Sequence, residues 1–182
     1  MSPRRFGLAV WALCGLLLAG LPAAAQPSSS PLAPFSSSLM ALPPAADLNV
    51  GGAIYVPAYS SLLISGGRLQ ANFSVTLSVH NTSQTKPLVV RQIGYYDTSG
   101  SLVQSYLDRP VALRPFGTVE VAVRVTDPRG GSGANFLVEW SGSAPIAEPL
   151  AETLMMGQIG TASYSFVSQG RAIRTVGAAS NP

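Results

Sequence analysis

The chain has 182 residues, 47% of them apolar and 10% charged, with a single cysteine and a single histidine. Its formal charge of +3 includes Arg4 and Arg5, which fall in an expected export signal. Without them nine basic residues meet eight acidic ones, a balance that excludes a charge-driven nucleic-acid partner. Cys14 falls in the same signal, so a mature domain has no disulfide and must rest on an apolar core, which about 120 folded residues can bury.

Arg4 and Arg5 make a positive n-region, Phe6 to Leu21 an uncharged apolar run, and Ala23-Ala24-Ala25 a small-residue site. This predicts a signal peptide over 1–25, cleaved before Gln26. The run is shorter than the roughly 20 residues a spanning helix requires, so no membrane span is expected after cleavage; an uncleaved anchor is the alternative. Cys14 sits in mid-run behind Leu13, not at its end behind a small residue, so lipid attachment is not expected. The protein is expected to be exported, to periplasm or exterior. Residues 26–48 are rich in Pro, Ser and Ala with Asp47 as the one charge, and are predicted to form a disordered spacer. A folded domain is expected over 49–174 and a flexible tail over 175–182.

Within the domain the apolar pattern has period two. Ile54 to Tyr59 reads as a strand that Pro57 assigns to a sheet edge. Phe73, Val75, Leu77 and Val79 alternate with polar residues up to His80, and Asn81-Thr82-Ser83 closes that strand. Leu88 to Tyr96 runs into the turn Asp97-Thr98-Ser99-Gly100, with Leu102 to Leu107 as its hairpin partner. Val111 to Leu113 lies between two prolines. Val119, Val121, Val123 and Val125 form one row, and Phe136, Val138 and Trp140 another. Ala147 to Met156 is compatible with helix or strand, and Thr161 to Val167 resumes alternation with Tyr164 and Phe166 on one face. The predicted class is all-β, an immunoglobulin-like antiparallel β-sandwich of about seven or eight strands, with a small β-barrel as the alternative.

Chemistry-bearing residues are sparse. His80 with Asp97 or Asp127 and a serine would form a triad, but a histidine beside a turn at a strand's polar edge is ordinary. One histidine and no mature cysteine leave no expected metal or cofactor site. Met155 and Met156 must point to opposite faces of a strand, so they cannot share a copper ion. Glu120 and Glu139 fall on polar strand faces and could form a glycosidase pair if their strands are neighbours. Tyr55, Tyr59, Tyr95, Tyr96, Tyr106 and Trp140 could make a sugar-binding platform, though Tyr95 and Tyr96 must diverge. The most distinctive local feature is the loop Gly130, Gly131, Ser132, Gly133 and Asn135, taken as a candidate interaction loop. Its backbone N–H groups could form an anion nest; the plainer reading is a tight reversal before Phe136.

The stretches Tyr55-Val56-Pro57-Ala58-Tyr59-Ser60, Leu77-Ser78-Val79-His80-Asn81 and Tyr95-Tyr96-Asp97 with Gly100 resemble an exported bacterial domain family of unknown function, number 3124. So do Gly130-Gly131-Ser132-Gly133-Ala134-Asn135-Phe136 with Glu139-Trp140, and Pro149, Met155, Ser165-Phe166 and Gly170-Arg171. The resemblance runs from Tyr55 to Ile173 and implies a small exported module; it brings no catalytic residue. His80 stands where the family tends to carry Arg, and Thr161 to Tyr164 replaces a Gly- and Gln-rich stretch. The expected function is a non-enzymatic module binding a protein, a cell-envelope component or a small ligand. The alternative is a carboxylate-dependent hydrolase acting on envelope or extracellular glycans.

Overall fold

The structure is a computed structural model that describes residues 30–177; the expected signal peptide and residues 178–182 of the expected tail lie outside the described residues. Thirteen strands run β1 (Leu39–Met40), β2 (Val50–Pro57), β3 (Ser61–Ile64), β4 (Leu69–Asn72), β5 (Ser74–His80), β6 (Leu88–Tyr96), β7 (Leu102–Ser105), β8 (Val111–Leu113), β9 (Thr118–Val123), β10 (Asn135–Gly142), β11 (Leu150–Ile159), β12 (Ala162–Gln169) and β13 (Arg171–Val176). Eight of these have six residues or more; six of them answer to stretches read as strands in the sequence, β11 to the stretch left open as helix or strand, and β13 to none, while the others are pieces of two to four residues.

A seven-stranded antiparallel sheet has the order β1-β8-β6-β10-β2-β13, with β7 also on β6, and faces a four-stranded sheet ordered β12-β11-β5-β9. A two-stranded ribbon, β3-β4, forms a sheet of its own, with Ala71 in the core and Leu62 and Ile64 packed against it. The two main sheets do not close on each other, which decides for the sandwich over the barrel. The apolar rows meet between them. Val75, Leu77 and Val79 of β5, Val119, Val121 and Val123 of β9, and Met155 of β11 face Val56, Leu88, Ile93, Tyr95, Phe136 and Val138, all buried. Val125 does not join its row: β9 stops at Val123, and Val125 is exposed in the turn that follows.

Pro57 and the expected spacer depart from expectation, and the choice left open for residues 147–156 is decided. Pro57 lies in an internal strand, because β2 pairs with β10 on one side and β13 on the other. It is tolerated because β13 begins at Arg171 opposite Tyr55, so no neighbour on that side asks Pro57 for an N–H. Residues 147–156 resolve as strand from Leu150. β11 is bonded on both sides, to β5 and β12, and two ladders outweigh the helix preference of Ala-Glu-Thr-Leu-Met. From Ser30 onward the expected spacer is packed, not disordered. Leu32 is buried in the core, a 3-10 helix spans Ala33–Ser38, Phe35 packs on the core, and β1 pairs with β8. Arg114 holds this strap with its backbone N–H on the Ser38 carbonyl and its Nε on the Leu39 carbonyl, 3.0 Å away. These anchors lie more than 70 residues along the chain, so local composition does not show them. At the other end β13 reaches Val176, two residues into the expected tail.

Tyr106 is buried against Phe136, and its hydroxyl donates to the Ala122 carbonyl at 3.2 Å. Burial first, then the nearby Tyr95 and Asp127, pushes its pKa up to about 12. An unfolded tyrosine ionises near 10, so below about pH 10 both states keep the proton and stability does not change. Above about pH 10 the unfolded chain alone releases it, and stability falls as pH rises through the folded value, by roughly 2 to 3 kcal/mol for this group. Urea midpoints measured from pH 8 to 12 should show that decline, and Tyr106→Phe should reduce it, leaving the share of Tyr95, whose pKa burial also raises.

Candidate functional site

The glycine loop is a closed structural turn. Thr98 donates its backbone N–H and its Oγ to the Gly130 carbonyl, both at 3.0 Å, and its Oγ accepts the Gly133 N–H at 2.9 Å. Ser60 Oγ accepts the Gly131 N–H at 3.0 Å. Two of the N–H groups an anion nest would need are therefore spent inside the protein. The glycines meet steric demands instead. A Cβ at Gly130 would fall on the Tyr95 hydroxyl, and Gly131 has a φ of +75°, a left-handed conformation that favours glycine. The Tyr95 hydroxyl is buried here without a hydrogen-bond partner among the described residues, Ser60 beside it being committed to Gly131, and burial raises its pKa.

The catalytic candidates are not brought together. His80 ends β5 opposite Thr118, whose Oγ is 2.9 Å from His80 Nδ1. Asp97 follows β6 and Asp127 follows β9, and both stand at the glycine-loop end of the sandwich, the end away from His80. Asp97 is bound up in its own turn. Its Oδ1 accepts from the Ser99 hydroxyl and from the Ser99 and Ser101 N–H groups, which hold its pKa below the usual carboxylate range. Asp127 is lowered by a two-pronged contact with Arg129 at 2.7 Å.

Glu120 and Glu139 belong to different sheets and face opposite sides of the molecule. Glu120 accepts from Ser78 at 3.1 Å, and Glu139 pairs with Arg174 at 2.7 Å. Glu152, not Glu139, shares a face with Glu120, one on each side of Ser78 at two strand spacings, about 10 Å. Met155 is buried while Met156 is 53% exposed, so the pair diverges as adjacent strand residues must. Tyr95, Tyr106 and Trp140 are buried in the core, leaving Tyr55, Tyr59 and Tyr96 too few for the six-ring platform. Among the described residues no three His, Cys, Asp or Glu side chains gather as metal ligands, and no helix is long and apolar enough to cross a membrane.

What the structure does offer is a surface on β11 and β12. Among the described residues β12 bonds to β11 on one side only, so its other side is a free sheet edge. Its eight residues, Ala-Ser-Tyr-Ser-Phe-Val-Ser-Gln, carry no charge and no proline, and six of them are exposed. On the outer face the register sets Val167 opposite Leu154 and Ser165 opposite Met156, and Leu150 extends the same column; Leu154, Met156, Val167 and Leu150 are all exposed. On the inner side Phe166 anchors the strand, edge-on to Phe73 with ring centroids 5.3 Å apart. The other long edges are protected: β13 carries Arg171 and Arg174, and β9 carries Glu120 and packs against the strap. The sequence signal for this face was present in the alternation of Leu150, Leu154 and Met156, but it was obscured by the helix-compatible composition of that stretch.

No curated protein matches this chain. Among solved structures it is similar to the crystal structure of Thermotoga maritima 1070, at 9% identity over 66% of this chain and 92% of that one, with a TM-score of 0.39. A family model described as "Protein of unknown function (DUF3124)" matches residues 51–173, which takes in β2 through Ile173 of β13. With the core rows, the glycine loop and the β11–β12 pair all inside that match, the chain belongs to the DUF3124 family.

Proposed function

We propose that this protein is an exported, non-enzymatic β-sandwich module that binds another protein by accepting an extended segment along β12. The observation that carries this reading is the unguarded edge. Natural sheets blunt exposed edges with charge, proline or cover, and this strand has none of these. Strand addition would satisfy the open N–H and C=O groups, while Leu154, Met156 and Val167 offer apolar contact to alternate side chains of the incoming segment. The scattering of His80, the aspartates and Glu139 supports a binding role over a hydrolytic one. Export is supported by the paired arginines, the apolar run and the alanine site at the N-terminus. The partner is accordingly a protein of the envelope or exterior.

The test places charges on the edge. Ser165→Lys with Val167→Lys lies on an exposed face, so its melting temperature should stay close to wild type. Envelope proteins retained by wild-type bait should be lost by this variant, with affinity lower by roughly tenfold or more. Retention of the same proteins at equal affinity by the lysine variant would overturn the reading.

A further inference from the structure

The outer face of the seven-stranded sheet, on the far side of the sandwich from β12, holds an unassigned recess. Its volume is about 320 Å³, and Gly51, Arg91, Glu139, Ser141 and Arg174 line it together with Asn49. Two irregularities converge on it. In β6 the register against β10 slips between Glu139 and Trp140, so that Gln92 pairs with Glu139, Val90 with Trp140, and Arg91 is the extra residue of a β-bulge. In β13 a second slip, between Ala172 and Arg174, brings Arg174 opposite Ala53, the residue that also pairs with Glu139. Bulges re-aim side chains, and here one on each flank turns an arginine toward the same row.

The polar groups are unevenly satisfied. Arg174 is held by Glu139 Oε1 at 2.7 Å, whereas Arg91 makes no ion pair among the described residues. Ser141 is 5% exposed, yet its Oγ has no hydrogen-bond partner among the described residues, and a buried hydroxyl left so is costly. Asn49 is committed, its Oδ1 accepting the Ala144 N–H at 2.8 Å. Gly51 leaves the floor without a side chain, and a Cβ there would come within 2.6 Å of the Trp140 carbonyl oxygen.

We propose that this recess binds a small hydroxylated monocarboxylate, of the size and kind of a sugar acid. Arg91 supplies an unspent planar fork that matches a carboxylate in two-pronged fashion. The two arginines and Glu139 sum to one positive charge, which suits a monoanion. The free Oε2 of Glu139 accepts from a ligand hydroxyl and repels a dianion such as phosphate. Ser141 gains the partner it lacks. The volume is at the small end of ligand pockets and admits one sugar ring.

Titration with D-glucuronate, followed by amide resonances of isotope-labelled protein, tests this directly. The Gly51, Gly52 and Ser141 amides should shift saturably with glucuronate, and neither glucose nor inorganic phosphate should reproduce the shifts at the same concentration. Arg91→Gln removes an exposed side chain, so it should melt with wild type and bind roughly tenfold or more weakly, the usual scale for a charged hydrogen bond. Ser141→Ala should weaken binding while leaving the free protein at least as stable. Absence of saturable shifts, equal binding by Arg91→Gln, or phosphate binding as tightly as glucuronate would overturn the proposal. None of these outcomes bears on the β12 edge, which lies on the other sheet.

Discussion

Phe136→Ala is expected to lower the stability of the protein by about 3 to 5 kcal/mol, through lost burial and the cavity left behind. Phe136 is fully buried as the second residue of β10, and its ring lies 4.9 Å from that of Tyr95 and 6.0 Å from that of Tyr106. Aromatic neighbours at these distances add to the area term. The flanking strands are fixed by ladders on both sides, with Val56 and Tyr95 directly opposite, so the site cannot readily collapse. Against the roughly 5 to 15 kcal/mol that holds a domain together, this is a large share for one side chain. Thr76→Ala and Arg124→Ala, on the outward faces of β5 and beyond β9, should stay within about half a kcal/mol. Chemical denaturation of the three variants reads the alternation directly. A harmless Phe136→Ala beside a disruptive Leu137→Ala or Glu139→Ala would mean that inside and outside are exchanged.

Asn81→Leu should come close behind, at about 2 to 4 kcal/mol. Asn81 is 2% exposed and stands where β5 ends, between the two sheets. Its Nδ2 donates to the carbonyls of Lys86, Leu113 and Arg114 at 2.8, 3.3 and 2.9 Å, and its Oδ1 accepts the Ser83 N–H at 3.0 Å. One side chain thus ties the end of a four-sheet strand to β8 of the other sheet and closes the turn before β6. Leucine has similar bulk but leaves the three carbonyls and one N–H facing an apolar group. The expected signature is a lower urea midpoint with an unchanged slope, since the same surface is still exposed on unfolding.

Much of the sandwich was legible because its long strands are amphipathic with one face buried, and such a face writes its register into the residues. The row Phe73, Val75, Leu77, Val79 and the row Phe136, Val138, Trp140 are both inward. What failed to show is long-range. The burial of Leu32 depends on Arg114 and β8, and the tolerance of Pro57 depends on where β13 begins. Ser141 sits on the polar side of its strand by alternation yet is buried, because Leu48 and Asn49 border the same recess. The bulges at Arg91 and Ile173 follow from pairing, which no single strand reveals. Asn81 reads as turn punctuation in the sequence, and only the structure shows it bridging the two sheets.

The claim most open to direct test is that β12 is a vacant edge in the free protein. Amide hydrogen exchange, read residue by residue, distinguishes the two sides of a strand, because successive N–H groups point in opposite directions. In the monomer every second amide between Ala162 and Gln169 should be protected through its bond to β11, and those between should exchange nearly as fast as exposed loops. On capture of the proposed partner the fast set should become protected. Uniform protection along β12 in the monomer would mean that the edge is already covered, and would contradict the account.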